Sequence, residues 1–315
     1  MNKEYNAALQ QRVRDYMDER KIGQQELARR IGKSGAVVSC YLNSNYKGDV
    51  AAVERILEEF LGQEVEAVQA RQQVEPYKLD NTYKPTSISE DVYQCIRYAQ
   101  INRKLVVLHG DAGVGKTKAA VKYYQDNPQS TIYIKLHPST ASLGGVGELL
   151  CAALDLPTAS SAKMWAAIRA KLRGTNKVIV VDEAQLLKRT PLDELRILPD
   201  EDEVTGLPGN GVVLIGNSEL YERVRKGKVT SQTFTRFAMQ RAYSTMRLTG
   251  DDIAMLFPLF AADDKKSELK LLAGICRSQH SIRTARNIVE NAIANGDVSL
   301  DGLRAAAYST PVGHM

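Results

Sequence analysis

The pattern of apolar and polar positions changes twice along this 315-residue chain. Residues Glu4 to Gly62 read as a succession of short helices separated by turns. Gln63 to Ser89 is polar and carries Pro76 and Pro85, the composition of a connection between folded parts. From Lys104 the pattern alternates. Four apolar runs of strand length, KLVVLH, STIYIKL (Ser130 to Leu136), KVIVVD (Lys177 to Asp182) and GVVLIGN (Gly211 to Asn217), are separated by helical segments, which predicts a parallel sheet covered by helices. Beyond about Thr249 the strands stop, and three amphipathic runs, Lys265 to Cys276, Ile282 to Ala294 and Leu300 to Tyr308, predict a small helical part.

Composition narrows the class. With 43% hydrophobic residues and no long apolar run, the chain has material for a core but none for a membrane span, so a soluble protein with no membrane partner is expected. The charged start, MNKEYNAALQQRVRDYMDER, lacks the apolar centre of a secretory signal, and the expectation is a cytoplasmic protein. Cys40, Cys95, Cys151 and Cys276 are far apart and form no CxxC, which points to reduced thiols and no zinc site. A formal net charge of +5 permits a polyanionic partner without demanding one.

The chemistry starts at HGDAGVGKTKAA. Gly110, then four residues, then Gly115, Lys116 and Thr117 has the spacing of a P-loop, placed after an apolar strand and before a helix, as that motif requires. Gly110, Asp111, Ala112, Gly113, Val114 and Gly115 are expected to turn backbone N–H groups inward around phosphates at a helix N-terminus. Lys116 then reaches the β- and γ-phosphates of ATP, and the Thr117 hydroxyl ligates Mg²⁺. KVIVVDEAQ delivers Asp182 and Glu183 at the carboxyl end of a buried strand, on the side where the P-loop lies. Asp182 is expected to join the Mg²⁺ shell, and Glu183 to orient or deprotonate the attacking water. Asn217, ending the fourth run, is placed to hydrogen-bond the γ-phosphate and that water. Arg236 and Arg241, in SQTFTRFAMQRAYSTMRL, are both candidates for an arginine finger reaching a neighbouring subunit, with Arg241 preferred. Arg283, heading a helix of the C-terminal part, is a candidate sensor of the γ-phosphate.

A second chemistry is suggested by QQELARRIGKSGAVVSCYLNSNYKGD. Ala28, Gly32 and Val38 have the spacing of a helix-turn-helix, with a small residue at the crossing, a turn glycine and a packed-back apolar residue. Lys33, Ser34, Gly35, Ala36 and Val37 would open the helix that faces double-stranded DNA. That helix holds no Arg, Asn or Gln to read a base bidentately, and Glu4, Asp15, Asp18 and Glu19 offset the basic residues nearby. Lys163, Arg169, Lys171 and Arg173 along SAKMWAAIRAKLRG, followed by Lys188 and Arg189, form a second cluster able to follow a phosphate backbone.

Taken in order, GDAGVGKT, VIVVDEAQ, VVLIGN, the arginine pair and a helical lid resemble an AAA+ ATPase. With the helix-turn-helix head, YLNSNYKGD and HPSTAS, the likeness covers nearly the whole chain and is to the B-type transposition ATPases of transposing phages. The resemblance implies an α/β AAA+ P-loop fold in four parts. These are a helix-turn-helix domain over residues 1–62, a linker over 63–89, the ATPase core over 90–248 and a C-terminal helical lid over 249–315. It also implies an ATPase that binds DNA with little sequence preference and self-assembles with ATP into filaments. Such a protein would present target DNA to a cognate transposase and leave DNA on stimulated hydrolysis. A helicase loader or replication initiator, and a nucleotide-regulated helix-turn-helix transcription regulator, share enough of these motifs to stand as alternatives.

Overall fold

A computed structural model describes residues 5–74, 82–225, 237–278 and 281–310. The chain divides into two compact units, Met1–Lys78 and Leu79–Met315.

The first unit is helical: α1 (Ala7–Arg20), α2 (Gln24–Arg30), α3 (Gly35–Leu42) and α4 (Val50–Val74). Its core is a single cluster in which Leu9, Val13, Leu27, Val38, Tyr41 and Leu57 are buried. Ala28 is buried as well, and Gly32 between α2 and α3 has φ +66°, a left-handed turn that a residue with Cβ adopts only under strain. Gln10 stitches α1 to the end of α3 by donating from its amide to the Tyr41 carbonyl at 2.6 Å. Two expectations need correction. Lys33 precedes α3, whose N-cap is Ser34, because the turn through Gly32 delays the helix. The connection foreseen from Gln63 is helical through Val74, since residues 63–74 contain neither Pro nor Gly and are rich in Gln, Glu and Ala.

The second unit holds five parallel strands among the described residues: β1 (Leu105–Gly110), β2 (Thr131–Lys135), β3 (Val178–Asp182), β4 (Gly211–Ile215) and β5 (Phe237–Tyr243), in the order β2-β3-β4-β1-β5. Strands β1, β3 and β4 are buried along their whole length, which is why they read as unbroken apolar runs. One sheet face, through Val107, Ile134, Val181 and Leu214, packs on α7 (Leu143–Ala153), α8 (Ser161–Leu172) and α9 (Arg189–Arg196). The opposite face carries α5 (Ser87–Asn102) and α6 (Lys116–Asp126). Gly211 lets α5 settle on β4, since a Cβ there would stand 2.2 Å from the Ala99 carbonyl oxygen.

The hydropathy pattern does not place β5. It is an edge strand whose residues are mostly exposed, and FAMQRAY lacks the apolar run that marks its neighbours. It pairs with β1 from Leu105↔Phe237 to Gly110↔Tyr243, with one register shift between Leu105 and Val106. After α10 (Ser218–Arg225) and β5, the C-terminal part comprises α11 (Gly250–Leu256), α12 (Lys266–Arg277), α13 (Ser281–Ala294) and α14 (Leu300–Tyr308), helical from residue 250 as expected, with α11 in addition to the three foreseen. Asp252, on α11 and buried, accepts from the Ser87 N–H and hydroxyl at 2.7 Å each, which ties this part to the start of α5. Among the described residues no helix is long and apolar enough to cross a membrane.

Gly110 is the residue on which β1, β5 and the loop after them converge. Its φ is +132°, and a Cβ would lie 1.9 Å from the Tyr243 carbonyl oxygen. Gly110→Ala is expected to cost at least about 2 kcal/mol and to lower the Tm by roughly 5 °C. Gly62→Ala, in α4 with nothing within 4 Å, is expected to be neutral or slightly stabilising. Differential scanning calorimetry of the two variants checks the contrast.

Candidate nucleotide site

The carboxyl ends of β1, β3 and β4 open on a cleft of about 390 Å³, a volume in the range of small-ligand sites. The loop after β1 forms its floor. Gly113 (φ +75°) and Gly115 (φ +101°) take backbone conformations that favour glycine, and α6 begins directly after Gly115. Gly113, Val114, Gly115, Lys116 and Thr117 line the cleft, so the positive end of α6 lies at its floor, a place suited to an anion. The head of α13 closes over it, with a Cβ on Gly113 lying 2.6 Å from the Ser281 hydroxyl.

Asp111 anchors this loop through its side chain. Its carboxylate accepts from the Thr245 N–H at 2.8 Å and from the Ser244 and Thr245 hydroxyls at 3.1 Å. Burial alone would raise the Asp111 pKa, but these donors outweigh it and hold it below the usual carboxylate range. The Asp111 N–H donates to the Tyr243 carbonyl at 2.9 Å, so the backbone and side chain of one residue both lean on the end of β5.

Lys116 is 8% exposed and donates to the carbonyls of Gly110 at 3.0 Å and Asp111 at 2.7 Å. Burial lowers its pKa, while Asp182, Asp111 and Glu183 partly oppose that shift from a distance. A buried ammonium whose hydrogen-bond partners among the described residues are two neutral carbonyls fits a polyphosphate, which would supply the missing negative charge.

Across the cleft, Asp182 ends β3 at 2% exposure. Its Oδ2 accepts from the Thr117 hydroxyl at 2.8 Å and the Tyr133 hydroxyl at 2.9 Å, and its Oδ1 accepts from the Glu183 N–H at 2.9 Å. Burial beside Asp182 pushes the Tyr133 phenol well above its ordinary value, so it remains a proton donor. A hydroxyl and a carboxylate oxygen in direct contact, facing a phosphate-sized concavity, are the hard-oxygen donors that suit Mg²⁺. Thr117 and Asp182 are the residues that would hold it.

Glu183 lines the cleft from a left-handed backbone conformation, φ 57°. Its Oε2 accepts from the Gln185 amide at 2.6 Å, and Gln185 Oε1 accepts from the Asn217 N–H at 3.3 Å. Asn217 lines the cleft after β4, with its Oδ1 taken by the Glu219 N–H at 2.9 Å. Arg283 lines it from α13, joined by Arg286 one turn on, which the motif reading did not single out. Nor did it find Tyr133, Gln185 or the segment Thr82–Ser89. Only Gln185, within the DEAQ run, lay in a stretch already under suspicion.

The remaining candidates lie elsewhere. Arg241 sits exposed in β5 opposite Leu108, close enough to Cys95 to lower its thiol pKa against the rise caused by burial, and is not part of the cleft lining. Arg236 lies outside the described residues. Arg169 on α8 pairs with Glu194, Arg173 just after it with Asp202, and Arg189 with Asp193, so three of the six basic candidates of this second cluster carry intramolecular partners. Lys163, Lys171 and Lys188 are exposed. In the helical unit Lys33 and Ser34 are exposed, whereas Val37 is half-buried and packs partly on the core.

Comparison with known proteins agrees with this geometry. Residues 100–224 match the family described as AAA domain. The chain is 29% identical over 276 residues to the Mu-like prophage FluMu DNA transposition protein B of Haemophilus influenzae, covering 86% of this chain and 92% of that protein. It is 27% identical over 263 residues to the ATP-dependent target DNA activator B of Escherichia phage Mu, covering 82% and 79% respectively. Among solved structures it is similar to Cdc6p from Pyrobaculum aerophilum, with a TM-score of 0.56, 16% identity and coverage of 76% of this chain and 70% of that one. The ORC2 protein of Aeropyrum pernix in its ADP form is similar at a TM-score of 0.53, 15% identity and coverage of 75% and 71%. These structures establish the AAA+ fold.

Lys116→Ala removes the buried cation and leaves two carbonyls that water can reach. The expected result is a loss of ATP affinity of at least about tenfold. The Tm without nucleotide should stay within a few degrees of the parent, and the stabilisation by ATP should disappear. Titration with a fluorescent ATP analogue and thermal unfolding with and without ATP check this.

Proposed function

We propose that this chain, a homologue of the Mu-type transposition B proteins, is an ATPase that assembles on double-stranded DNA and presents that DNA to a transposase. The observation that carries the reading is the span of the likeness: it runs over 276 residues, whereas the AAA domain occupies 100–224. The resemblance therefore includes sequence beyond the nucleotide core.

In this reading the Gly110–Gly115 loop and Lys116 hold the ATP phosphates, and Thr117 and Asp182 would hold Mg²⁺, which when bound would neutralise phosphate charge. Glu183 accepts a proton from the attacking water as the water oxygen bonds to the γ-phosphorus and the bond to the bridging oxygen breaks, releasing ADP and phosphate. Asn217, Arg283 and Arg286 face the same space. Arg241, exposed and away from its own cleft, is suited to meet the γ-phosphate of a neighbouring copy. ATP held between copies then favours the assembled state, and its hydrolysis releases the DNA.

On the DNA side, the exposed Lys33 and Ser34 at the start of α3 and the exposed Lys163, Lys171 and Lys188 are the phosphate contacts. Few side chains here are able to read base edges, so binding should be strongly salt-dependent and weakly sequence-dependent.

Glu183→Gln keeps the shape of the side chain and removes its basicity. Hydrolysis is expected to fall by about 10²–10³-fold, with ATP binding retained and long-lived complexes on random DNA. Phosphate release and electron microscopy with ATP check both outcomes, and rapid release of the DNA would overturn the role of Glu183. For Arg241→Ala, DNA-stimulated turnover should fall by about 10³-fold while ATP binding persists. Mixing Arg241→Ala with Glu183→Gln protein should restore part of the activity, because some interfaces then pair an intact Glu183 with an intact Arg241. Mixtures that stay inactive at every ratio would exclude Arg241.

A further inference from the structure

Gln185 occupies a place that nucleotide binding does not require. It lies two residues beyond Glu183, in a short 3₁₀ turn spanning Ala184–Leu186, and lines the cleft. Its amide has two ends and both are used. Nε2 donates to Glu183 Oε2 at 2.6 Å, and Oε1 accepts from the Asn217 N–H at 3.3 Å. One neutral side chain thus spans from the carboxylate after β3 to the backbone at the head of α10.

The surroundings are shaped to receive it. Gly216, immediately before Asn217, leaves room for that amide: a Cβ there would stand 2.8 Å from Gln185 Oε1. The backbone of Glu183 is itself held in the left-handed region, which sets the direction in which its side chain leaves the chain. A glutamate has three rotatable bonds, and partly exposed in a cleft it would sample several rotamers. A hydrogen bond to Oε2 selects one of them while leaving Oε1, among the described residues, without a partner and able to accept a proton.

We propose that Gln185 is the positioning residue for the hydrolytic base, its amide clipping the Glu183 carboxylate to Asn217 so that the base and the polar residue after β4 are presented to the γ-phosphate as one unit. The inference rests on the reading of Glu183 as the base. Gln185 takes no proton and bonds no phosphate; it acts by restricting where Oε1 stands.

The test uses the full chain with ATP, Mg²⁺ and random-sequence DNA, and measures single-turnover hydrolysis at saturating ATP, affinity for a fluorescent ATP analogue, and the Tm. Gln185→Ala should slow hydrolysis about tenfold with ATP affinity within about twofold of the parent, since only orientation is lost. Gln185→Met keeps the length and bulk of the side chain but has no amide, so hydrolysis should slow as much as in Gln185→Ala, again with ATP affinity within about twofold of the parent. A role in packing alone would be restored by Gln185→Met. The inference is overturned if Glu183→Gln is inactive while Gln185→Ala or Gln185→Met hydrolyses at the parent rate. If Glu183→Gln hydrolyses ATP normally, the assignment of the base fails first and takes the inference with it.

Discussion

Everything at the nucleotide site depends on the close approach of the Gly110 backbone to the carbonyl of Tyr243, an edge strand pressed against the point where β1 becomes a loop. There is no room for a side chain at that point. The Asp111 N–H donates to the same carbonyl, and the Asp111 carboxylate takes the Thr245 N–H and the hydroxyls of Ser244 and Thr245. The loop therefore leaves the sheet already tethered on one side. It can then turn through Gly113 and Gly115 and enter α6. Lys116 folds back onto the carbonyls of Gly110 and Asp111, so the same tether that shapes the loop positions its cation.

Charge is separated across the cleft in a way that suits a polyphosphate and a divalent cation together. Lys116 and the start of α6 lie on the floor, Arg283 and Arg286 come from α13, and Asp182 and Glu183 come from the end of β3. A polyanion drawn to the first group would face the acids of the second unless a cation intervened, and the Thr117 hydroxyl bonded to Asp182 would offer it oxygen ligands. Tyr133, reaching Asp182 from the neighbouring strand β2, keeps the carboxylate oriented by a donor that burial prevents from ionising. The acid is organised by the sheet itself, not by a mobile loop.

The basic residues outside the cleft show why a count of charges is a poor guide to a DNA surface. Arg169, Arg173 and Arg189 have carboxylate partners in the fold, and an ion pair must open before such a side chain can take up a phosphate. Among the described residues the exposed Lys163, Lys171 and Lys188 form no such ion pair. In the helical unit, the turn through Gly32 leaves Lys33 and Ser34 exposed ahead of α3 while Val38 closes the core.

Sequence alone determined the elements whose physics is local. Four strands were legible because β1 through β4 are mostly buried in apolar runs, and the phosphate loop was legible because glycines at fixed intervals before Lys116 and Thr117 have few other uses. Asp182, Glu183 and Asn217 followed from the rule that ligands gather at the carboxyl ends of parallel strands. Tertiary structure decided the rest. An edge strand such as β5 buries too little to leave an apolar signature, so its contact with Gly110 and the anchoring role of Asp111 appear only once β1 and β5 are paired. Tyr133, Gln185 and Arg286 carry no spacing motif, and each reaches the site through a neighbour brought close by the strand order β2-β3-β4-β1-β5 or by the packing of α13 on the loop. The same holds for Arg169 and Arg173, whose charges are free or paired according to residues tens of positions away. A hydrogen bond or ion pair between distant segments depends on where the chain returns, and that is a property of the packed fold rather than of either segment.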